Sequence, residues 1–382
     1  MAKKIWIVIV TALGVALIVC WFIIRPTEQA QNGATIRIGA MLPLTGDAAA
    51  WGKQARDAIE LATAQFNAPR TAVRILVDYQ DTKAEPKEAV VAANFLIFDR
   101  KVAAIIGDMT SASTLAAAPL CERNKVVLLS PVASSPLISG AGEYIYRIWP
   151  SDVFEAEFTA DWLMAHGFKK AAVVYLTDDF GVPLKDTFRS KYEKKGGQVV
   201  FQEGYAKGTS DFRPIILKLR RHKPTVLYLV SHYADAAQFA KRSKEQAFDI
   251  PTIGTADLMN EEFLHQAGSA AEGFQFPMRK GFDPNEASPR VTAFVQQFQA
   301  RYGRVPGLVE AQSFDAASVV LNAVGEGARS GVEIKRKLDG LAEHPFAGVT
   351  GSIAFDERGD LALGSVNFRM ARVQDGRFTP AE

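Results

Sequence analysis

The stretch Ala103 to Ala118, AAIIGDMTSASTLAAA, holds the residues of this chain best placed to do chemistry. The short unalternating run Ala103-Ala104-Ile105-Ile106 predicts a strand covered on both faces, ended by Gly107. Thr110 and Ser111 then stand at the cap position of a small-residue helix containing Ala112, Leu115, Ala116 and Ala118. A helix start leaves several backbone N–H groups unpaired and carries a partial positive charge, so hydroxyls at such a turn suit a carboxylate or similar anion. Ser111 suits equally the simpler task of capping its own helix. These residues alone leave both roles open.

Other chemistries fail on spacing. The five histidines, His166, His222, His232, His265 and His344, are scattered, and none has partners at metal-ligand spacing. Gly39 to Gly46 does not supply a dinucleotide fingerprint, and there is no nucleophile elbow, zinc-protease helix or P-loop. The expectation is therefore a protein that is not an enzyme and uses no cofactor or metal. The acidic run Asp356 to Asp360 lacks the ligand pattern of a calcium loop and reads as the turn of a β-hairpin between Gly351–Phe355 and Ser365–Val373. Cys20 and Cys121 lie in settings too different for a bridge, and Cys121 reads as a small buried residue on a helix. With 44 basic against 42 acidic residues, charge gives no argument for a nucleic-acid partner.

The elements that must position Ser111 follow from periodicity. From Thr35 the chain alternates strand and helix: strand Ile36 to Leu42, a helix with Ala55, Ala58, Ile59, Ala62 and Phe66 on one face, strand Val73 to Val77, helix Pro86 to Phe98, and strand Val126 to Leu129. Such a series predicts a parallel sheet with right-handed crossovers, and ligands in such sheets sit at the carboxyl ends of the strands. A second series of the same kind runs from Val153 to Gln266, and the helical stretches Val291 to Tyr302, Phe314 to Val324 and Val332 to Leu341 follow it. At 382 residues two domains are the natural expectation. Ahead of them, Ile5 to Ile24 carries no charge over a length that reaches roughly 30 Å as a helix, enough to cross a bilayer. Lys3 and Lys4 before it place the N-terminus in the cytoplasm and the rest outside, and the length and flanks favour a retained anchor over a removed signal, followed by a polar tether to Ala34.

Several stretches resemble the type I periplasmic binding proteins, and among them the leucine/isoleucine/valine-binding receptors of ABC transporters. They are IGAMLPLTGDAAAWG (38–52), DTKAEPKE (81–88), IGDMTSAST (106–114), LSPVASSP (129–136), Asp179 to Gly181, and FDERGD (355–360). The resemblance implies two doubly wound α/β lobes around a cleft, with residues 1–34 as membrane segment and tether, 35–149 and 278–350 as lobe 1, and 150–277 and 351–382 as lobe 2. Crossings would lie near Trp149, Pro277 and Gly351. It implies capture of a small amino acid or related amide by hinge closure and delivery to an ABC permease in the membrane; a membrane-anchored sensor on the same lobes is the alternative. It also implies a binding site. Ser111, Thr110 and neighbouring N–H groups would hold the ligand carboxylate, with Ala133 and Ser134 supplying a carbonyl and a hydroxyl. Trp51 would cover the ligand. Phe180, His232 and Tyr233 would be aromatic cleft residues of the second lobe, and Asp257 the nearest carboxylate for an ammonium group. Phe180 lacks the hydroxyl of the family's tyrosine, His232 stands where branched-chain binders carry tyrosine, and an ungapped alignment puts Ala256, not Asp257, at the acidic position.

Overall fold

The computed structural model describes residues 34–68, 73–279, 281–362 and 367–381. The expected anchor at residues 5–24 lies outside them. Among the described residues no helix is long and apolar enough to cross a membrane.

The first lobe is built from β1 (Ala34–Leu42), α1 (Ala49–Asn67), β2 (Val73–Asp81), α2 (Pro86–Asn94), β3 (Ala104–Ile106), α3 (Ser111–Asn124), β4 (Val127–Ser130) and β5 (Ile145–Arg147). Its strands pair in the order β2-β1-β3-β4-β5, all parallel. Alternate side chains enter two separate apolar layers. Ile38, Ala40, Ile106 and Leu129 join one, and Met41, Ile105, Leu128 and Ile145 the other. Burial on both faces is why these strands read as continuous apolar runs rather than alternating ones. Cys121 lies in the second layer, where burial pushes its thiol up to about 12, consistent with an inert core residue.

The second lobe repeats the winding with α4 (Asp152–Ala165), β6 (Lys170–Leu176), α5 (Gly181–Lys194), β7 (Gln198–Tyr205), α6 (Arg213–His222), β8 (Val226–Val230), α7 (Tyr233–Glu245), β9 (Thr252–Gly254), α8 (Glu261–Ala267) and β10 (Gln275–Arg279). The order β7-β6-β8-β9-β10 copies that of the first sheet. The chain then returns to the first lobe through α9 (Pro289–Tyr302), α10 (Leu308–Gly325) and α11 (Gly331–Asp339), with α10 packed along α1. A two-residue hairpin follows, β11 (Phe346–Ala347) with β12 (Ser352–Ile353), and then β13 (Phe368–Gln374) and β14 (Arg377–Pro380) extend the second sheet from the edge of β10.

Two features differ from the sequence reading. The helix expected to reach Phe98 stops being α-helical at Asn94 and finishes as a π-helical turn, Phe95–Asp99. Among the described residues the hairpin expected between Gly351–Phe355 and Ser365–Val373 is not seen: a bridge from Phe355 to Leu361 closes the acidic turn, and residues 368–373 pair elsewhere. Asp360 instead pairs with Arg147 at 2.7 Å, the Arg147 N–H donates to the Gly359 carbonyl at 3.0 Å, and Phe355 packs edge-on against Tyr146. β13, freed from that role, pairs antiparallel with the otherwise open edge of β10. Residues 352–361 pack beside the first sheet through the Asp360 and Gly359 contacts to Arg147, whereas β13 and β14 lie on the second sheet.

Candidate functional site

Glycines set the loop geometry at the strand ends. Gly107 after β3 has φ +126°, and a Cβ there would lie 1.9 Å from the Met41 carbonyl oxygen, so only glycine lets the two strand ends approach. The turn beyond it is held from inside by Asp108. Its carboxylate accepts from the Thr110 N–H at 2.9 Å and from the Thr82 hydroxyl, while burial pushes it up to about 6 against those bonds. Thr110 is the cap residue of α3, yet its side chain makes no capping bond. Ser111 is the first helical residue, and its Oγ accepts from the Ser134 and Ser135 N–H groups at 3.3 and 3.1 Å. Ser111 therefore does not cap its helix; it ties the helix start to the loop after β4 and keeps its own O–H to donate.

That loop is in turn fixed by Arg147, whose side chain is fully buried. Its guanidinium donates to the Ser134 and Ser135 carbonyls at 2.8 and 2.7 Å, to Ser139 Oγ at 2.6 Å and to Asp360. The Ser134 carbonyl also accepts from the Asp152 N–H at 2.9 Å, and the Ala133 N–H is taken by Ser130 Oγ at 2.9 Å. What the loop presents outward is thus the Ser134 hydroxyl and the apolar Ala133 face, beside the open start of α3.

The second lobe supplies a stacked aromatic wall. Phe180 lies flat on the His232 ring, with centroids 4.8 Å apart and 16° between planes, and Trp51 from the first lobe meets His232 edge-on at 5.3 Å. His232 Nδ1 contacts Asp257 Oδ2 at 2.8 Å, and the Thr255 hydroxyl donates to the other Asp257 oxygen. Burial works against a charge on His232, but the Asp257 bond and the nearby Asp178 and Asp235 carboxylates outweigh it and raise its pKa. A second acidic pair lies at the start of α4. Glu155 accepts from the Ala256 N–H at 3.2 Å and from the Tyr228 hydroxyl at 3.4 Å, and burial holds it well above the usual carboxylate range. Burial likewise pushes Asp152 up to about 7, against the Ser134 hydroxyl and Arg147.

These groups line one cavity of about 300 Å³ between the lobes. Of the residues singled out in the sequence, Trp51, Thr110, Ser111, Ala133, Ser134, Phe180, His232 and Asp257 all face it. Tyr233 does not: it meets Trp51 edge-on at 5.0 Å and lines two neighbouring pockets instead. A larger depression of about 600 Å³ on the second lobe is lined from that lobe alone, between Ala240 and Gln275. The cavity between the lobes gathers several unpaired polar atoms from both halves. Four buried atoms in its wall have no partner among the described residues: Gln54 Oε1, Asp152 Oδ2, His232 Nε2 and Arg279 Nη1. Because buried polar atoms are nearly always paired, such a cluster in one cavity marks where a polar molecule fits.

Sequence reasoning missed Asp152, Glu155, Gln54 and Arg279. The available signal was positional: Asp152 and Arg279 directly adjoin the first and second lobe crossings, and crossing segments form the floor of any interlobe cleft. The lobes also meet outside the cavity, where Lys207 Nζ donates to the Ala84 carbonyl at 2.9 Å and pairs with Glu85 at 2.7 Å.

Residues 35–377 match the sequence profile of a family described as periplasmic binding protein. The chain is 26% identical over 354 residues to Leu/Ile/Val-binding protein homolog 3 of Brucella melitensis, covering 91% of this chain and 94% of that protein. It is 25% identical to the leucine-, isoleucine-, valine-, threonine- and alanine-binding protein of Pseudomonas aeruginosa, covering 86% and 87%. Among solved structures it is similar to the branched-chain amino acid transporter substrate-binding protein LivJ of Streptococcus pneumoniae in complex with isoleucine, with TM-score 0.81, 26% identity, and 91% and 99% coverage. The leucine-binding protein LivK of Thermotoga maritima gives TM-score 0.82 at 26% identity, with 91% and 98% coverage.

Proposed function

Since the chain belongs to the periplasmic binding protein family, a family of solute-binding proteins rather than enzymes, we propose that its cleft captures a small amino acid or related amide outside the cytoplasm and hands it to an ABC permease. The observation that carries this reading is the set of unpartnered polar atoms facing one interlobe cavity beside an uncapped helix start. An α-carboxylate fits the start of α3, where the Ser111 hydroxyl can donate and the helix dipole is positive, while the Thr110 N–H and hydroxyl are held by Asp108. An α-ammonium needs an acceptor. Each Asp257 oxygen already bonds His232 or Thr255, whereas Asp152 Oδ2 has no partner among the described residues and faces the cavity, which favours Asp152 as the acceptor, with Asp257 orienting His232.

The two lobes contact one ligand, and that is what allows binding to favour the closed form: a solute bridging α3 on one side and His232, Phe180 and the Asp152 wall on the other adds contacts absent when the lobes part. Trp51 is the cover, already packed on His232 across the gap. The charge pattern of residues 1–34, taken with the family, supports an extracytoplasmic receptor held to the membrane by residues 5–24.

The test is a thermal-shift screen of the full-length chain against the proteinogenic amino acids, their amides and small carboxylates, followed by calorimetry of the hits. A solute with an α-amino and a carboxylate group should raise the melting temperature in proportion to the logarithm of its concentration. If no such solute shifts it at millimolar concentration, the reading fails. Sedimentation of the native protein with membranes, lost when residues 1–34 are deleted, tests the tether.

A further inference from the structure

The hinge end of the cavity carries a charge that the binding of an aliphatic amino acid would leave unused. Arg279 closes β10 where the chain crosses back to the first lobe, and it is only 8% exposed. Its guanidinium lies over the Trp149 ring at 5.8 Å from the centroid, and Nη1 has no hydrogen-bond partner among the described residues. Burial lowers its pKa to about 10, which still leaves it charged at neutral pH. Buried arginines are normally paired, because an uncompensated charge in the interior is costly.

Two carboxylates that could pair it are engaged elsewhere. Asp315 raises the pKa of Arg279 from nearby, but its two oxygens accept from the Val349 N–H and the Thr350 N–H at 2.8 Å each and from the Thr350 hydroxyl at 2.6 Å. Glu310, also in the cavity wall, accepts from Arg304 and from the Gly307 N–H at 3.0 Å. The cavity wall also carries the apolar side chains Trp149, Met278, Phe282, Val309 and Phe378. A methylene stem has somewhere to lie, and a buried guanidinium waits in the same wall.

We infer that Arg279 receives a second carboxylate at the far end of the solute, so that the cleft selects dicarboxylic α-amino acids over aliphatic ones; the inference rests on the solute-binding reading above. The complement is then complete. The α-carboxylate lies at the start of α3, the ammonium on Asp152, and the distal carboxylate on Arg279, whose planar fork can hold two oxygens at once. An aliphatic side chain in the same place would leave the guanidinium desolvated and unpaired, which is how a polar site rejects a ligand lacking its polar group.

Calorimetry of the full-length chain with L-glutamate, L-aspartate, L-leucine and glutarate tests this, repeated on Arg279→Met and Arg279→Lys. L-Glutamate or L-aspartate should bind at least about tenfold tighter than L-leucine, and Arg279→Met should move that ratio about 10- to 100-fold toward L-leucine, as loss of a charge-assisted pair predicts. Arg279→Lys should retain part of the preference, since a point charge replaces the fork. A cooperative melt no lower than that of the parent would show that Arg279→Met is folded. If L-leucine binds tightest, or the ratio moves less than about twofold in Arg279→Met, the inference is wrong while the solute-binding reading stands. Binding of glutarate alone, lost in Arg279→Met, would keep Arg279 in its role and refute the amino-acid reading. Failure of all four probes refutes the inference and leaves the solute-binding reading to the wider thermal-shift screen.

Discussion

Replacing Asp152 with asparagine separates ligand binding from fold stability, because the two should move in opposite directions. Asn has the same shape and keeps an acceptor toward the cavity, but it cannot carry charge. If Asp152 holds the ligand ammonium, the variant loses a charge-assisted hydrogen bond worth about 1.5–3 kcal/mol, or roughly 10- to 150-fold in Kd. The empty protein behaves in the reverse sense. Burial raises the folded pKa of Asp152 from 3.8 to about 7, so the native chain holds this proton more tightly than the unfolded one. Stability contributed by this group therefore falls as pH rises from about 4 to about 7, and the penalty is fully present above that window. Asn carries no such penalty. The melting temperature of Asp152→Asn should match the parent near pH 4 and exceed it by a margin that grows toward pH 8. Ligand binding by the parent should also release a proton near pH 6, seen as a calorimetric enthalpy that depends on the buffer. Paired scanning and titration calorimetry across this range are the assay. If the variant binds the cognate amino acid within about twofold of the parent at pH 7.5, or melts lower than the parent at pH 8, the assignment of Asp152 is wrong.

Two further substitutions probe the first-lobe side of the cavity. Ser111→Ala removes both the hydroxyl offered to the carboxylate and the acceptor for the Ser134 and Ser135 N–H groups, so affinity should drop about tenfold and stability by about 1–3 kcal/mol, read by calorimetry and urea denaturation. Unchanged binding with unchanged stability would remove Ser111 from the site. Arg147→Met leaves the Ser134 and Ser135 carbonyls and Asp360 without their buried donor, and should cost about 3–5 kcal/mol in a denaturant titration while disturbing the loop that shapes the cavity. A loss below about 1 kcal/mol would show that water replaces the guanidinium there.

Much of this arrangement is legible in order along the chain. Unbroken apolar runs such as Ala104–Ile106 and Val226–Val230 are strands covered on both faces, and their alternation with amphipathic helices determines two parallel sheets whose carboxyl ends face a cleft. The glycine after β3 and the hydroxyls at 110 and 111 marked the first half of the site for the same reason: they are local features, and their physics is set within a few residues. Pairings between distant segments were not legible. The acidic turn at 356–360 looks like a hairpin by itself, but a buried arginine more than 200 positions away claims its carboxylate, and β13 finds the edge of β10 instead. Asp257 reads from the sequence as the nearest carboxylate for an ammonium, and only packing shows that a histidine and a threonine each bond one of its oxygens while Asp152 Oδ2 has no partner among the described residues. Whether a polar atom is satisfied depends on what the rest of the fold brings within 3 Å of it, and that distance is a property of the folded chain alone.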